Sequence, residues 1–424
     1  MTAILFGAFV VLVILGVPIS FVLGIAATLG LVAAGNYPMQ VVIQRMFAAV
    51  NSFPFMAIPF FMVAGEVMSR GGITKRIIDF ALALVGRFKG SLGHVTALTG
   101  VIMGGISGSG VADTAAIGSL MVPEMVRRGY DKSFSAALTA AAGSIGLIIP
   151  PSIAMILYGV TAQVSIGDLF LSGIVPGVLI GLGFMLVSYV VARRENYPVE
   201  ESLSWRERTV RFKNAILALM MPVIIIGGIR GGIFTPTEGG AVAAVYAIVV
   251  SLFVYREMTF KDLFHALVEA GKKTAVIGFL IATSSLFSWI LASERIPEQI
   301  TTYIISLTEN KYMVLLLINI LLLLVGMILD SGPAIILLVP ILVPVAKSLG
   351  IDLVQFGLVM VINLTIGLLT PPVGTALYVA CNISDLPLLT LSRAVLKFLV
   401  VMLIVLLLVT YVPAVALLPL WFGH

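Results

Sequence analysis

The chain has 424 residues, 60% apolar and only 11% charged, with a mean hydropathy of +1.15. Soluble domains carry about a quarter charged residues, so this composition excludes a soluble globular protein and indicates a polytopic membrane chain. The formal charge of +5 sits in loops, as the positive-inside rule expects, and makes no case for nucleic acid. The single cysteine, Cys381, excludes an internal disulfide and has no companions for a metal site.

Long apolar runs between short basic loops predict helices rather than the alternation of a barrel. The first stretch, MTAILFGAFVVLVILGVPIS, has no basic leader and no obvious cleavage site, so it reads as a retained first span. Residues 3–35 are apolar throughout and read as one long span, bent at Gly16-Val17-Pro18, and 36–51 as an interfacial segment. NSFPFMAIPFFMVAGEVMSRGG supplies a span ending near Arg70. TKRIIDFALALVGRFKG (74–90) has the helical periodicity of an amphipathic surface helix.

Residues 92–125 are too long for one crossing and have a Gly/Ser-rich middle, GGISGSG. Arg87 and Lys89 before it and Arg127, Arg128 and Lys132 after it put both ends on one side, which predicts a re-entrant hairpin. Residues 133–158 then cross, broken at Ile149-Pro150-Pro151, and 169–192 return to a basic linker, RRENYPVEESLSWRERTVRFK (193–213). After spans at 214–228, 241–255 and 274–292, ERIPEQITTYIISLTENKY predicts a second surface helix. A second hairpin spans 313–347, a second broken helix spans 353–380 at Thr370-Pro371-Pro372, and 391–412 forms a last span.

These two hairpins organise the chain. GGISGSGVADTAAIGSLMVPEM (104–125) is echoed by MILDSGPAIILLVPIL (327–342), with Asp113 overlaying Asp330 at an offset of 217 residues. GLIIPPS (146–152) is echoed by GLLTPPV (367–373) at an offset of 221. Charge bookkeeping opens the first hairpin to the cytoplasm and the second to the outside, so the repeats are inverted. The domain plan is therefore an N-terminal unit (1–52), a first repeat (53–192), the linker (193–213) and a second repeat (214–424). The fold class is an all-α polytopic membrane protein, an inverted-repeat transporter with two re-entrant hairpins and two broken helices.

Unwound helix segments offer main-chain carbonyls to a hard cation, and half-helix N-termini offer N–H groups to an anion. The first repeat supplies Ser107, Gly108, Ser109, Gly146, Ile149 and Pro151 for such contacts. The second supplies Gly326, Asp330, Ser331, Gly332, Gly367, Thr370 and Pro372. Close packing is the alternative role for the glycines and serines, and N-capping is the alternative for Asp113 and Asp330. No basic residue falls inside either motif, so no cationic clamp for an anion is visible. Glu66, His94, Glu238 and His265 sit near predicted ends of apolar runs, where a wet polar side chain needs no special role.

Six stretches together resemble the large membrane subunit of tripartite ATP-independent periplasmic (TRAP) transporters. They are NSFPFMAIPFFMVAGEVM, GGISGSGVADTAAIGS, GSIGLIIPPS, FTPTEGG, LDSGPAIILLVPIL and NLTIGLLTPPVGTALY, in order along nearly the whole chain. The resemblance implies a Na⁺-driven elevator carrier in the bacterial inner membrane. It also implies two partners: a small four-helix membrane subunit, and a soluble periplasmic protein that delivers a C4-dicarboxylate, keto acid, sugar acid or sialic acid. It places one Na⁺ at Ser107, Ser109, Gly146, Ile149 and Pro151. A second falls at Gly326, Gly332, Gly367, Thr370 and Pro372, and substrate falls at Ser109, Asp113, Ser152, Asp330 and Ser331. Two rivals remain: a stand-alone Na⁺-coupled divalent-anion carrier or related ion antiporter, and an intramembrane aspartyl protease using Asp113 and Asp330. An ATP-driven pump is disfavoured by the lack of a G-x-x-x-x-G-K-[ST] loop.

Overall fold

The computed structural model describes residues 1–35, 37–199, 203–308 and 310–421. Asn36 of the expected interfacial segment and residues 200–202 of the linker lie outside the described residues. Twenty α-helices and no strand are present among those described.

The N-terminal expectation of one bent span is corrected. α1 (Thr2–Ile14) and α2 (Ile19–Ala34) fold back on each other. A Cβ built on Gly30 would lie 3.6 Å from both Leu5 and Met1. The reason lies in the connection, where Gly16 takes φ +74° and Pro18 opens a new helix with no N–H to donate.

α3 (Gln40–Val50) is joined at a 59° bend to the helical segment Pro54–Arg70, whose α-helical part is α4 (Ala57–Arg70). α5 (Ile73–Val85) buries Ile73, Ile77 and Ala81 on one face. The first hairpin is α6 (Ser91–Ser107) and α7 (Gly110–Arg127). The first broken helix is α8 (Lys132–Ser144), a tight turn at Ile145–Leu147, and α9 (Ile153–Ala162). α10 (Ile166–Arg194) follows, then α11 (Trp205–Arg230). The basic linker is thus partly helical, because Ser204 and Glu207 close a capping box that starts α11 inside it. That exchange holds Glu207 below the usual carboxylate range, through the Ser204 hydroxyl first and its N–H second.

α12 (Pro236–Val249) precedes α13 (Phe260–Ser293), one continuous 34-residue helix. The sequence expectation began that span at 274. The structure carries the helix four turns further back, so Lys272 and Lys273 lie inside it. α14 (Ile296–Leu307) is the second short helix, and the second hairpin is α15 (Lys311–Gly326) and α16 (Ser331–Ser348). α17 (Leu353–Gly367) and α18 (Thr375–Ser384) form the second broken helix, followed by α19 (Leu388–Tyr411) and α20 (Pro413–Trp421).

Among the described residues, six helices are long and apolar enough to cross a membrane singly, but the broken-helix halves are not. α9 and α18, at 10 residues each, are only about 15 Å long. The first break is enclosed by protein, whereas Pro372 and Val373 at the second are exposed. α8 is buried at every position from Phe134 to Ser144, and α17 at every position from Gln355 to Gly367. A helix apolar or small on all sides belongs inside a bundle. Each is straddled by the two arms of its own hairpin, α8 by α6 and α7, and α17 by α15 and α16.

The second halves are exchanged between repeats: α9 packs on α16, and α18 packs on α7. The Tyr158 hydroxyl in the middle of α9 donates to the Leu353 carbonyl at the start of α17, at 2.7 Å. A buried amide chain ties the second repeat together. Asn363 donates to Asn319 at 2.7 Å, and Asn319 donates to the Thr410 hydroxyl at 3.1 Å. Two groups of helices result. α2, α3, α4, α12 and α13 pack together with α1, α5 and α11 around them, and the hairpins and broken helices pack with α10, α19 and α20. The groups meet mainly where α4 and α5 touch α6, where α10 touches α11 and where α13 touches α16.

Gly367→Ala is expected to destabilise the protein by about 1–3 kcal/mol or more through overpacking, because the new methyl would lie 2.3 Å from the Gly326 carbonyl. Gly7→Ala has open space around it and should leave the melting temperature in detergent unchanged.

Candidate functional site

The first hairpin turns at Gly108, which takes φ +64°, a conformation only glycine adopts readily. A Cβ there would also meet the Pro151 carbonyl at 2.4 Å, so the tip and the broken helix touch backbone to backbone. Ser109 caps α7, accepting from the Ala112 N–H at 3.4 Å. Its own N–H donates to the Ser107 hydroxyl at 3.1 Å, and that hydroxyl donates to Asp113 Oδ1 at 2.6 Å. The other carboxylate oxygen, Oδ2, is buried with no hydrogen-bond partner. It points at the break: a Cβ on Gly146 would lie 2.4 Å from it.

On the broken-helix side, Ser152 stitches the gap. Its hydroxyl donates to the Leu147 carbonyl at 2.5 Å and accepts from the Met155 N–H at 3.3 Å. The Ile153 N–H donates to the Gly108 carbonyl at 3.4 Å. Ile149 is buried, its side chain filling the space over Gly177 of α10.

The second repeat copies the plan with different residues. Gly326 and Gly367 pack closely: a Cβ on Gly367 would lie 2.3 Å from the Gly326 carbonyl, and one on Gly326 would be in tight contact with Gly367 at 3.3 Å. The Val373 N–H donates to the Met327 carbonyl at 3.1 Å, the counterpart of the Ile153–Gly108 bond. Asp330 caps α16, accepting from the Ser331 N–H at 2.9 Å. Thr370 turns its hydroxyl back to the Ile366 carbonyl at 2.8 Å. Both breaks carry a cis proline, at Pro150–Pro151 and Pro371–Pro372.

A cavity of about 400 Å³ lies between the two helix groups. Ser107, Ser109, Asp113 and Asp330 line it, which brings four of the expected residues from both repeats to one space. Gly146, Ile149 and Pro151 stand behind the first tip, and Gly326, Gly367 and Thr370 behind the second. Ser152 is wholly buried in its break, away from the cavity wall. Ser331 is buried in the first turn of α16, and Gly332 beside it faces Leu157 of α9.

Thr375, Glu66 and Lys273 are among the lining residues that the sequence does not assign to the site. Thr375, at the start of α18, has a buried hydroxyl with no hydrogen-bond partner. Glu66 of α4 and Lys273 of α13 form an ion pair across the opposite wall. Glu66 looked like a span terminus, and Lys273 adjoined an apolar run rather than a motif. Only the continuity of α13 and its packing on α4 and α16 reveal where Lys273 reaches.

Among the described residues, no group of three or more His, Cys, Asp and Glu is placed to hold a metal ion. The side-chain oxygens at the first tip are the Ser107 and Ser109 hydroxyls and the Asp113 carboxyl, and at the second tip and break the Asp330 carboxyl and the Thr370 hydroxyl. A larger cleft of about 920 Å³ lies among the loops at 163–168 and 232–238 and contains neither tip nor break.

Ser107→Ala removes the hydroxyl that donates to the buried Asp113 and is expected to cost about 1–3 kcal/mol of stability. Ser119→Ala, which loses one exposed bond to the Ala116 carbonyl, should stay within about 0.5 kcal/mol. Denaturant unfolding in detergent measures both.

Residues 6–415 match the family model described as "Tripartite ATP-independent periplasmic transporter, DctM component". The C4-dicarboxylate TRAP transporter large permease protein DctM of Pseudomonas aeruginosa is 41% identical, over 95% of this chain and 94% of that protein. The sialic acid TRAP transporter large permease protein SiaM of Vibrio cholerae is likewise 41% identical, over 95% and 94%. The isethionate TRAP transporter permease protein DctMQ of Oleidesulfovibrio alaskensis is 44% identical over 97% of this chain, which spans only 65% of that longer protein. The crystal structure of the Alcanivorax borkumensis YdaH transporter, described as having an unusual topology, aligns with a TM-score of 0.63. It covers 90% of this chain and 87% of that one at 15% identity, which speaks for the fold alone. The polytopic chain thus belongs to the DctM family, the large inner-membrane permease component of TRAP transporters.

Proposed function

We propose that the protein imports a small carboxylate coupled to Na⁺ by an elevator motion, with a periplasmic protein delivering the substrate and a small four-helix membrane subunit completing the membrane complex. The observation that carries this reading is the 400 Å³ cavity. It lies between the two helix groups and gathers a Ser/Asp-rich tip, the second repeat's Asp330 and the Thr375 hydroxyl.

In this reading the hairpins and broken helices move as a block, and α4, α12 and α13 belong to the stationary frame. Na⁺ at the first tip would take oxygen from Ser107, Ser109 and carbonyls near Gly146, Ile149 and Pro151. At the second it would take carbonyls near Gly326, Gly332, Gly367, Thr370 and Pro372. The unpartnered Asp113 Oδ2, turned toward the first break, supports a cation there. Asp113 and Asp330 are both engaged at helix termini, so we assign them to balancing charge rather than to peptide hydrolysis.

The substrate is set against Ser109, Asp113, Asp330 and Thr375, with Ser152 and Ser331 shaping the backbone behind it. The relatives named above are described as permeases for C4-dicarboxylates, sialic acid or isethionate, all organic anions. Two Na⁺ with one monoanion would carry net positive charge inward, worth about 2.3 kcal/mol per elementary charge per 100 mV.

Uptake into proteoliposomes holding this subunit and its small partner tests the reading, with succinate and N-acetylneuraminate as first probes. Accumulation that requires both an inward Na⁺ gradient and the periplasmic protein is expected. Uptake with Na⁺ alone would place the chain among stand-alone carriers, and uptake indifferent to Na⁺ would refute the coupling.

A further inference from the structure

The cavity wall opposite the tips is not neutral. Among its described lining residues, three carboxyl groups, Glu66, Asp113 and Asp330, face a single cation, Lys273. Lys273 rises from α13 and pairs with Glu66 of α4, while Arg70, one turn along α4, stands 3.9 Å from the other Glu66 oxygen. The Glu66 side chain is 15% exposed, but those of Lys273 and Arg70 are 47% and 41% exposed. The lysine is therefore the reachable member of a pair whose carboxylate has a second cation in reserve.

We propose that Lys273 is the cationic anchor for the substrate's carboxylate and that Glu66 holds the ammonium in place until substrate arrives. An entering carboxylate takes over the ammonium, and Glu66 shifts to Arg70. No buried charge is then left unpaired, which is the condition for an exchange of this kind to be inexpensive. The proposal rests on the transport reading above and adds a specificity-determining residue to it.

The position of the anchor has a consequence for the cycle. Lys273 belongs to the helix group without the tips, so substrate reaches it only while the tips lie against α4 and α13. A contact made in one end state and lost in the other gives the substrate a differential affinity for the two states. The anchor would thus tie substrate charge to the position of the moving block.

Three variants in the same proteoliposomes separate an anchor from a structural ion pair, with radiolabelled succinate and N-acetylneuraminate as probes. Lys273→Gln is expected to raise KM on the order of tenfold or more, as loss of a charge-assisted contact does. Glu66→Gln should leave KM unchanged or lower, because it removes the competitor and spares the cation. The exchange Glu66→Lys with Lys273→Glu re-forms an ion pair between α4 and α13, though with the new lysine one turn from Arg70, and should not restore uptake.

Equal damage from Lys273→Gln and Glu66→Gln would overturn the proposal, as would restoration of uptake by the charge exchange. Either result would leave a purely structural pair. Lys273→Arg, which keeps the charge and the pair, serves if Lys273→Gln is not recovered folded: its uptake should persist, and complete loss in a folded protein would count against the anchor. Wild-type protein that transports neither probe under a Na⁺ gradient would instead bring down the transport reading on which the anchor rests, a failure recognisable without any variant.

Discussion

Everything in this chain depends on one constraint: backbone that leaves the helical pattern at membrane depth must be buried in protein or face a cavity. The fold meets it twice in the same way. A hairpin tip and a broken helix are pressed together until only glycine fits between them, at Gly108 against Pro151 and at Gly326 against Gly367. The remaining main-chain groups are partly bonded across the contact, Ile153 to Gly108 and Val373 to Met327. Enclosing these contacts buries α8 and α17 on nearly every face, and the buried amides of Gln355 and Asn363 in α17 are hydrogen-bonded.

The same constraint concentrates polarity. The Ser107 hydroxyl donates to the buried Asp113, and Asp330 accepts from the Ser331 N–H, and these bonds orient the two carboxylates. Charge of opposite sign comes from the other helix group, as Lys273 with Glu66. Oxygen-rich tips on one side and a reachable ammonium on the other make a cavity suited to a cation and an organic anion together. A packing contact between the two groups would have neither feature.

Much of this was legible in the sequence, and the reason is physical. Gly and Pro at unwound points cannot be replaced freely, so GGISGSG with GLIIPPS and MILDSG with GLLTPPV mark both tips and both breaks at nearly constant spacing. What failed was information carried by faces and turns rather than by composition. An apolar run does not say whether it continues or folds back, so α1 and α2 were read as one span, and Gly16 with Pro18 as a bend. Hydropathy treats Lys272-Lys273 as the edge of a span, although the helix runs through them. Ser152 sits in a motif expected at the substrate, yet its hydroxyl is consumed in bridging the break. Hydroxyl direction is set by local backbone geometry and has no sequence signature.

The central claim is that both tip-and-break contacts are cation sites. Hydrogen exchange of the purified protein in detergent, with NaCl against choline chloride at equal ionic strength, addresses it without any substrate. The account predicts that Na⁺ slows exchange around 144–153 and around 326–332 together with 367–375, and leaves α2, α12 and α13 unchanged. Protection equal in the two salts at both sites would contradict it.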